Sequence, residues 1–202
     1  MFSLKMEPLP ESFYARDTVL VARELLGKKL VRREGKNGVS GLIIETEAYR
    51  GEEDLACHCR AGKTPRTEIM YGPAGRAYVY LIYGMYWLLN IVTEGDGSPG
   101  AVLIRAIEPL EGVEIIADRR GGQPRRNWTN GPGKLSRALN IQGDLNGTNI
   151  CSPKGLLYIT EGEHIHPEII ETGPRVGLES VPEPWRSKAW RFMVNYEKLK
   201  GA

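Results

Sequence analysis

Residues 76–93 read RAYVYLIYGMYWLLNIVT. Aromatic and β-branched residues dominate the run, and a single glycine, Gly84, interrupts it near the middle. That is the pattern of two strands joined by a tight turn. Tyr83-Gly84-Met85-Tyr86 fits a type II′ turn, because glycine at the first central position accepts φ > 0. The hairpin sets the fold class, since strands joined by so short a loop pair antiparallel. Outward from it, Lys29–Arg33, Gly41–Tyr49, Ala101–Ile107, Leu156–Thr160 and Arg191–Val194 also read as strands. Residues 9–27 read as a helix with Asp17 or Thr18 as a cap, an apolar face of Leu20, Val21, Leu25 and Leu26, and Gly27 at its end. Leu110–Arg120 reads as a helix closed by Gly121-Gly122, and Gly131–Leu139 as a short one opened by Pro132. The order has no clean βαβ alternation and no repeat or linker divides it. The expected architecture is α+β: a single domain over residues 1–202, with a curved, largely antiparallel sheet flanked by helices and a protruding β-hairpin.

Composition agrees with a globular chain. Of 202 residues 41% are hydrophobic and 26% charged, which excludes a disordered tail, a collagen-like fibre and a coiled coil. No window of 18 apolar residues occurs, so no transmembrane helix is expected. The N-terminus reads as no signal peptide. Three cysteines, an odd number, argue for reduced thiols in a cytoplasmic setting. The net charge of +2 hides a division. Between Glu45 and Asp54 there are five acids and one base; between Arg119 and Arg137 there are six bases and no acid. The basic run suits a polyanion, although a solvated basic loop would look the same.

Three clusters carry chemistry. Alternation along GLIIETEAY puts Ile43, Glu45, Glu47 and Tyr49 on one face and Leu42, Ile44, Thr46 and Ala48 on the other. Two same-face carboxylates raise at least one pKa, and one beside a ring suits a general base; a solvent-facing edge strand is the plainer reading. In the hairpin, Tyr78 and Tyr80 share a face while Tyr83 stands at the tip, where a ring can wedge between base pairs and deeper rings can stack on an extruded base. An aromatic core strand is the alternative. Cys57-His58-Cys59 invites a zinc reading, but zinc needs about four converging ligands, no second pair follows at metal spacing, and the cysteines of an extended triplet face away from His58. No metal and no cofactor are expected. A non-catalytic nucleic-acid-binding module and a hydrolase or formyltransferase-like enzyme of small metabolites remain open on these grounds.

The segments IIETEAYRGEEDLACH, TPRTEIM, AYVYLIYGMYWLLNIV, AVLIRAIEPLEG, NGPGKLSRAL and GPRVG occur in this order. Together they closely resemble the alkyladenine DNA glycosylase (3-methyladenine or N-methylpurine DNA glycosylase) family, from about residue 10 to about residue 195. In lacking a long N-terminal extension the chain is similar to the compact, prokaryote-type members; its EGDGSPGAV segment is longer than in vertebrate members. The resemblance implies a metal-free, monofunctional glycosylase of base excision repair that flips alkylated or deaminated purines (3-methyladenine, 7-methylguanine, hypoxanthine, ethenoadenine) out of duplex DNA. It further implies roles for individual residues. Glu47 activates the attacking water and Arg105 helps hold it. Tyr49, His58 and Tyr80 sandwich the base, the main chain at Ala56 and His58 reads its edge, Asn90 excludes the 2-amino group of guanine, and Leu103 lines the pocket. Tyr83, supported by Met85, fills the gap in the duplex; Lys134 and Arg66 meet the DNA backbone; a main-chain carbonyl near Leu178 orients the water. The implied partner is double-stranded DNA carrying damaged purines, met by a monomer in the cytoplasm at the nucleoid. No lysine sits in the pocket motifs, so a Schiff-base lyase step is not expected.

Overall fold

The computed structural model describes residues 7–195. The chain runs α1 (Glu11–Tyr14), α2 (Thr18–Glu24), β1 (Lys29–Glu34), β2 (Asn37–Arg50), β3 (Ala77–Ile82), β4 (Tyr86–Val92), β5 (Gly100–Glu111), α3 (Val113–Arg119), α4 (Pro132–Ala138), β6 (Leu157–Thr160), β7 (Ile170–Gly173) and β8 (Arg191–Val194). All strand pairs are antiparallel, in the order β3-β4-β5-β2-β1-β6, with β8 on the far half of β2 and β7 on β8. The architecture is α+β.

β2 organises the sheet. Its first half pairs with β1 and its second half with β8. The change of partner falls at a pair of offsets against β5: Ile43 faces Ile107, Glu45 faces Ala106 and Thr46 faces Ile104. Ile44 on β2 and Arg105 on β5 are thus each the extra residue of a bulge, a device that bends a strand and re-aims its side chains. The bulge also corrects the simple alternation. Ile43, expected beside Glu47, belongs with Ala48 in the main core, because one inserted residue reverses the parity.

The two faces of the sheet bury different things. Ala77, Val79, Ile91 and Val102 point into the main core with Val21, Leu25, Leu135 and Leu139. Tyr78, Val92 and Ala101 point the other way, into a smaller cluster with Cys57, Cys59 and Met70 from the long β2–β3 connection. The functional cavity opens on this second face.

Several local expectations shift. Residues 9–27 form two short helices, α1 and α2, rather than one. Asp17 breaks them apart by capping α2, its carboxylate accepting from the Leu20 N–H at 2.9 Å. Leu20, assigned to the buried face, is 43% exposed. Leu110 and Glu111 extend β5 because Glu111 pairs with Ser40; Gly112, at φ 65°, then turns the chain into α3. The hairpin turn lies one residue early: Tyr83 (φ 53°) and Gly84 (φ 68°) are its central pair and Met85 N–H closes on Ile82 O at 3.1 Å. Positive φ at both positions is the type I′ pattern, which follows the twist of the flanking strands, in place of type II′.

Candidate active site

The cavity has a volume of about 550 Å³. Tyr49 of β2, Tyr78 and Tyr80 of β3, Asn90 of β4, and Leu103 and Arg105 of β5 line it. So do Ala56 and His58 from the β2–β3 connection, Tyr83 at the hairpin tip, Lys134 of α4, and Val176 to Leu178. Residues from six separate stretches of sequence are thereby brought around one space.

Glu47 is not itself a wall residue: its side chain is fully buried behind Tyr49, Arg105 and Val176, which are. Its Oε1 accepts the Val176 N–H at 2.7 Å; its Oε2 accepts the Tyr49 hydroxyl at 2.9 Å and Arg105 Nη1 at 3.3 Å. Burial pushes the Glu47 pKa up, and Arg105, the Val176 N–H and Tyr49 oppose that push. Burial likewise raises the Tyr49 phenol well above its usual value, so the hydroxyl remains a donor. Arg105 is itself held from behind. Its Nε donates to Glu45 Oε1 at 2.8 Å, and Arg191 Nε donates to the same oxygen at 2.7 Å. The bulges at Ile44 and Arg105 align this row of alternating charges.

Rings define the walls. His58 and Tyr80 meet edge to face with centroids 4.7 Å apart, and Tyr78 and Tyr80 lie 5.3 Å apart. His58 Nδ1 is 2.9 Å from the Tyr78 hydroxyl. Desolvation among these rings, followed by the charges of Arg66 and Arg60, lowers the His58 pKa to about 4, so the ring is neutral near pH 7. Asn90 is buried, and its amide donates to Tyr78 O at 3.3 Å. The Ala56 N–H is committed to Asp54 Oδ1 at 3.0 Å.

The rim is less uniform than the resemblance implies. Tyr83 and Met85 protrude at 82% and 66% exposure, but Met85 is no part of the cavity wall. Arg66 lies outside the wall too, with its guanidinium 5.1 Å from the Tyr80 ring centroid. The Leu178 carbonyl already accepts the Val181 N–H at 2.9 Å, and the main-chain group on Glu47 is the Val176 N–H. Lys134 is a wall residue, which corrects the expectation of a lysine-free pocket; its Nζ donates to Asn130 Oδ1 at 2.9 Å. A Cβ on Gly133 would come within 3.0 Å of the Tyr86 ring, so glycine there lets α4 lie against β4 and carry Lys134 to the rim. Within the basic run, Arg119 pairs with Glu34 and Arg125 with Glu108. These two charges are internally matched, so the run is not one free basic face.

Sequence reasoning overlooked Val176, Tyr86 and Met70, all wall residues, and the support of Arg105 by Glu45 and Arg191. The only signal for Val176 was its place in GPRVG. Cys57-His58-Cys59 does not converge. The three residues form the start of a 3-10 turn in which Cys59 Sγ points to Met70 Sδ (3.4 Å) and His58 points to Tyr78. Among the described residues no group of three or more His, Cys, Asp or Glu is placed to hold a metal ion.

Comparison with known proteins gives this geometry its class. Residues 12–198 match the family model of methylpurine-DNA glycosylases. A Myxococcus xanthus protein is 46% identical over 189 residues, covering 94% of this chain and 91% of its own. One from Methanocella arvoryzae is 48% identical over 186 residues (90% and 92%), and one from Desulfitobacterium hafniense 47% over 198 residues (94% and 96%). Each carries the name "Putative 3-methyladenine DNA glycosylase". The family match and these relatives define a DNA glycosylase, a hydrolase of N-glycosyl bonds in DNA repair. The chain belongs to the methylpurine-DNA glycosylase family.

Proposed function

We propose that the protein acts as a metal-free monomer in the cytoplasm, flipping damaged purines such as 3-methyladenine, 7-methylguanine, hypoxanthine and ethenoadenine from duplex DNA and hydrolysing their N-glycosidic bonds. One observation carries the reading: a fully buried carboxylate, Glu47, braced by a guanidinium and a main-chain N–H of residues, Arg105 and Val176, that line an aromatic cavity. N-glycosidic cleavage develops positive charge on the sugar. Ionised Glu47 accepts a proton from the attacking water and stabilises that charge. Arg105 keeps the carboxylate ionised and oriented. The extruded base stacks between Tyr49, His58 and Tyr80, each base–ring contact contributing roughly 1–3 kcal/mol. Stacking favours every base, so rejection of normal guanine falls to the shape of the wall at Asn90. Tyr83 occupies the vacated position in the duplex, and Lys134 and Arg66 at the rim meet the backbone.

Glu47→Gln tests this. The amide keeps the shape, but general-base catalysis is worth roughly 10²–10⁴-fold. Excision of hypoxanthine and 1,N6-ethenoadenine should fall by at least about 100-fold while duplex binding survives. Excision at the parent rate would refute the mechanism. Chelator should leave the rate unchanged.

A further inference from the structure

Behind the cavity wall lie Asp54 and Arg175, both with fully buried side chains. Arg175 grips Asp54 through both terminal nitrogens, at 2.5 and 2.9 Å. Its Nη1 also donates to Ala48 O at 2.9 Å and its Nη2 to Trp185 O at 3.1 Å. The guanidinium carbon sits 4.8 Å from the Tyr49 ring centroid and 5.2 Å from that of Trp190. Asp54 accepts from the main chain on both sides: Arg50 N–H at 3.3 Å and Ala56 N–H at 3.0 Å, while its carbonyl accepts Cys57 N–H at 2.7 Å. The residue after Arg175 is Val176, whose N–H holds Glu47.

Three parts of the site therefore meet at one ion pair. They are the Ala48–Arg50 strand end with the Tyr49 ring, the 54–58 segment with Ala56 and His58, and the main-chain donor on Glu47. As a stability device the pair is poor. Desolvating two charges offsets most of their attraction, and Arg175 Nε is buried with no hydrogen-bond partner. What the bidentate fork supplies is geometry.

We propose that Asp54 and Arg175 are positioning residues for catalysis: their ion pair fixes the Tyr49 ring, the purine-facing 54–58 segment and the Val176 N–H on Glu47 in one mutual register. Neither touches the substrate. The proposal rests on the reading of Glu47 as the base.

Arg175→Lys keeps a cation beside Asp54 but removes the fork and the guanidinium's contact over the Tyr49 ring. The assay is single-turnover excision of hypoxanthine from duplex DNA at saturating enzyme, across pH. A partly unfolded preparation has less competent enzyme, but its rate constant at saturation is unchanged. In Arg175→Lys that constant should fall roughly 10- to 100-fold, as a displacement of about 1 Å at a site can produce. The acidic limb of the profile should also move to higher pH. Glu47 is faced by Tyr49 and Glu45 from β2, by Arg105 from β5, and through Glu45 by Arg191 from β8. Loosening the Val176 N–H removes one of the groups that favour its ionised form. Parent values for both the constant and the limb would overturn the proposal. Should Arg175→Lys fail to fold, Asp54→Asn, which exchanges one oxygen for an amide, is read in the same assay with the same expectations. Glu47→Gln run alongside separates the two failures. Parent-like excision by Glu47→Gln removes the mechanism itself, whereas an inert Glu47→Gln with an unperturbed Arg175→Lys removes only the positioning role.

Discussion

Tyr83→Gly should separate folding from function. Tyr83 is 82% exposed and holds φ at 53°, in the left-handed region. That conformation costs an L-residue roughly 1–2 kcal/mol. Glycine escapes this cost but loses more freedom on folding, by about 0.5–1 kcal/mol. The first outweighs the second by about 0–1.5 kcal/mol, and so exposed a ring gives up little burial. The unfolding free energy should therefore stay the same or rise by up to about 1.5 kcal/mol. Function should respond differently. A ring standing in for an extruded base offers one stacking contact, worth about 1–3 kcal/mol, which is roughly 5- to 150-fold in the equilibrium between flipped and stacked lesion. Titration of a duplex carrying 1,N6-ethenoadenine, beside an undamaged duplex and a thermal melt, measures all three quantities. The ratio of damaged to undamaged affinity should drop by that factor. The slope of log affinity against log salt should stay the same, because no cation is removed. An unchanged affinity ratio would refute the wedge, and a large drop in melting temperature would refute the strain argument.

Other outcomes follow from the same geometry. Burial raises the Glu47 pKa and the base works ionised, so excision should decline on acidification at a pH above the ordinary carboxylate value of 4.5. His58, at about 4, stays neutral over that limb, and a single-turnover pH profile with its acidic limb at or below 4.5 would contradict the assignment. Asn90→Ser shortens a buried wall residue and removes its bond to Tyr78 O. Guanine release from undamaged duplex should become measurable, at a stability cost of about 1 kcal/mol; intact guanine rejection would count against the gate. Lys134→Ala should weaken damaged and undamaged duplex binding alike and reduce the salt slope by about 0.9, as loss of one phosphate contact does. Loss confined to the lesion-bearing duplex would place Lys134 in base recognition instead.

The sequence by itself determined what depends on near neighbours. Alternation in residues 76–93 and 41–49 yields β3, β4 and the far half of β2, since side-chain direction in a strand is a matter of parity. Asp17 before a helical run and Pro132 at the start of another mark α2 and α4, because caps and first turns are satisfied within a few residues. The ordered motifs also pointed to the family, and so to Glu47, Tyr49, His58, Tyr80 and Arg105 as one constellation. Only the tertiary structure decided matters that turn on distant partners. Glu111 became strand because β2 offered it a partner in Ser40, with Leu110 carried along as an unpaired bulge residue. Ile43 entered the core because bulges at Ile44 and Arg105 offset two ladders against each other. Glu47 found its main-chain donor 129 residues away at Val176, and Asp54 its cation 121 residues away at Arg175. Such contacts leave no local pattern: a single N–H or one arginine in a turn reads alike in any sequence until the chain folds and burial demands a partner for each polar group.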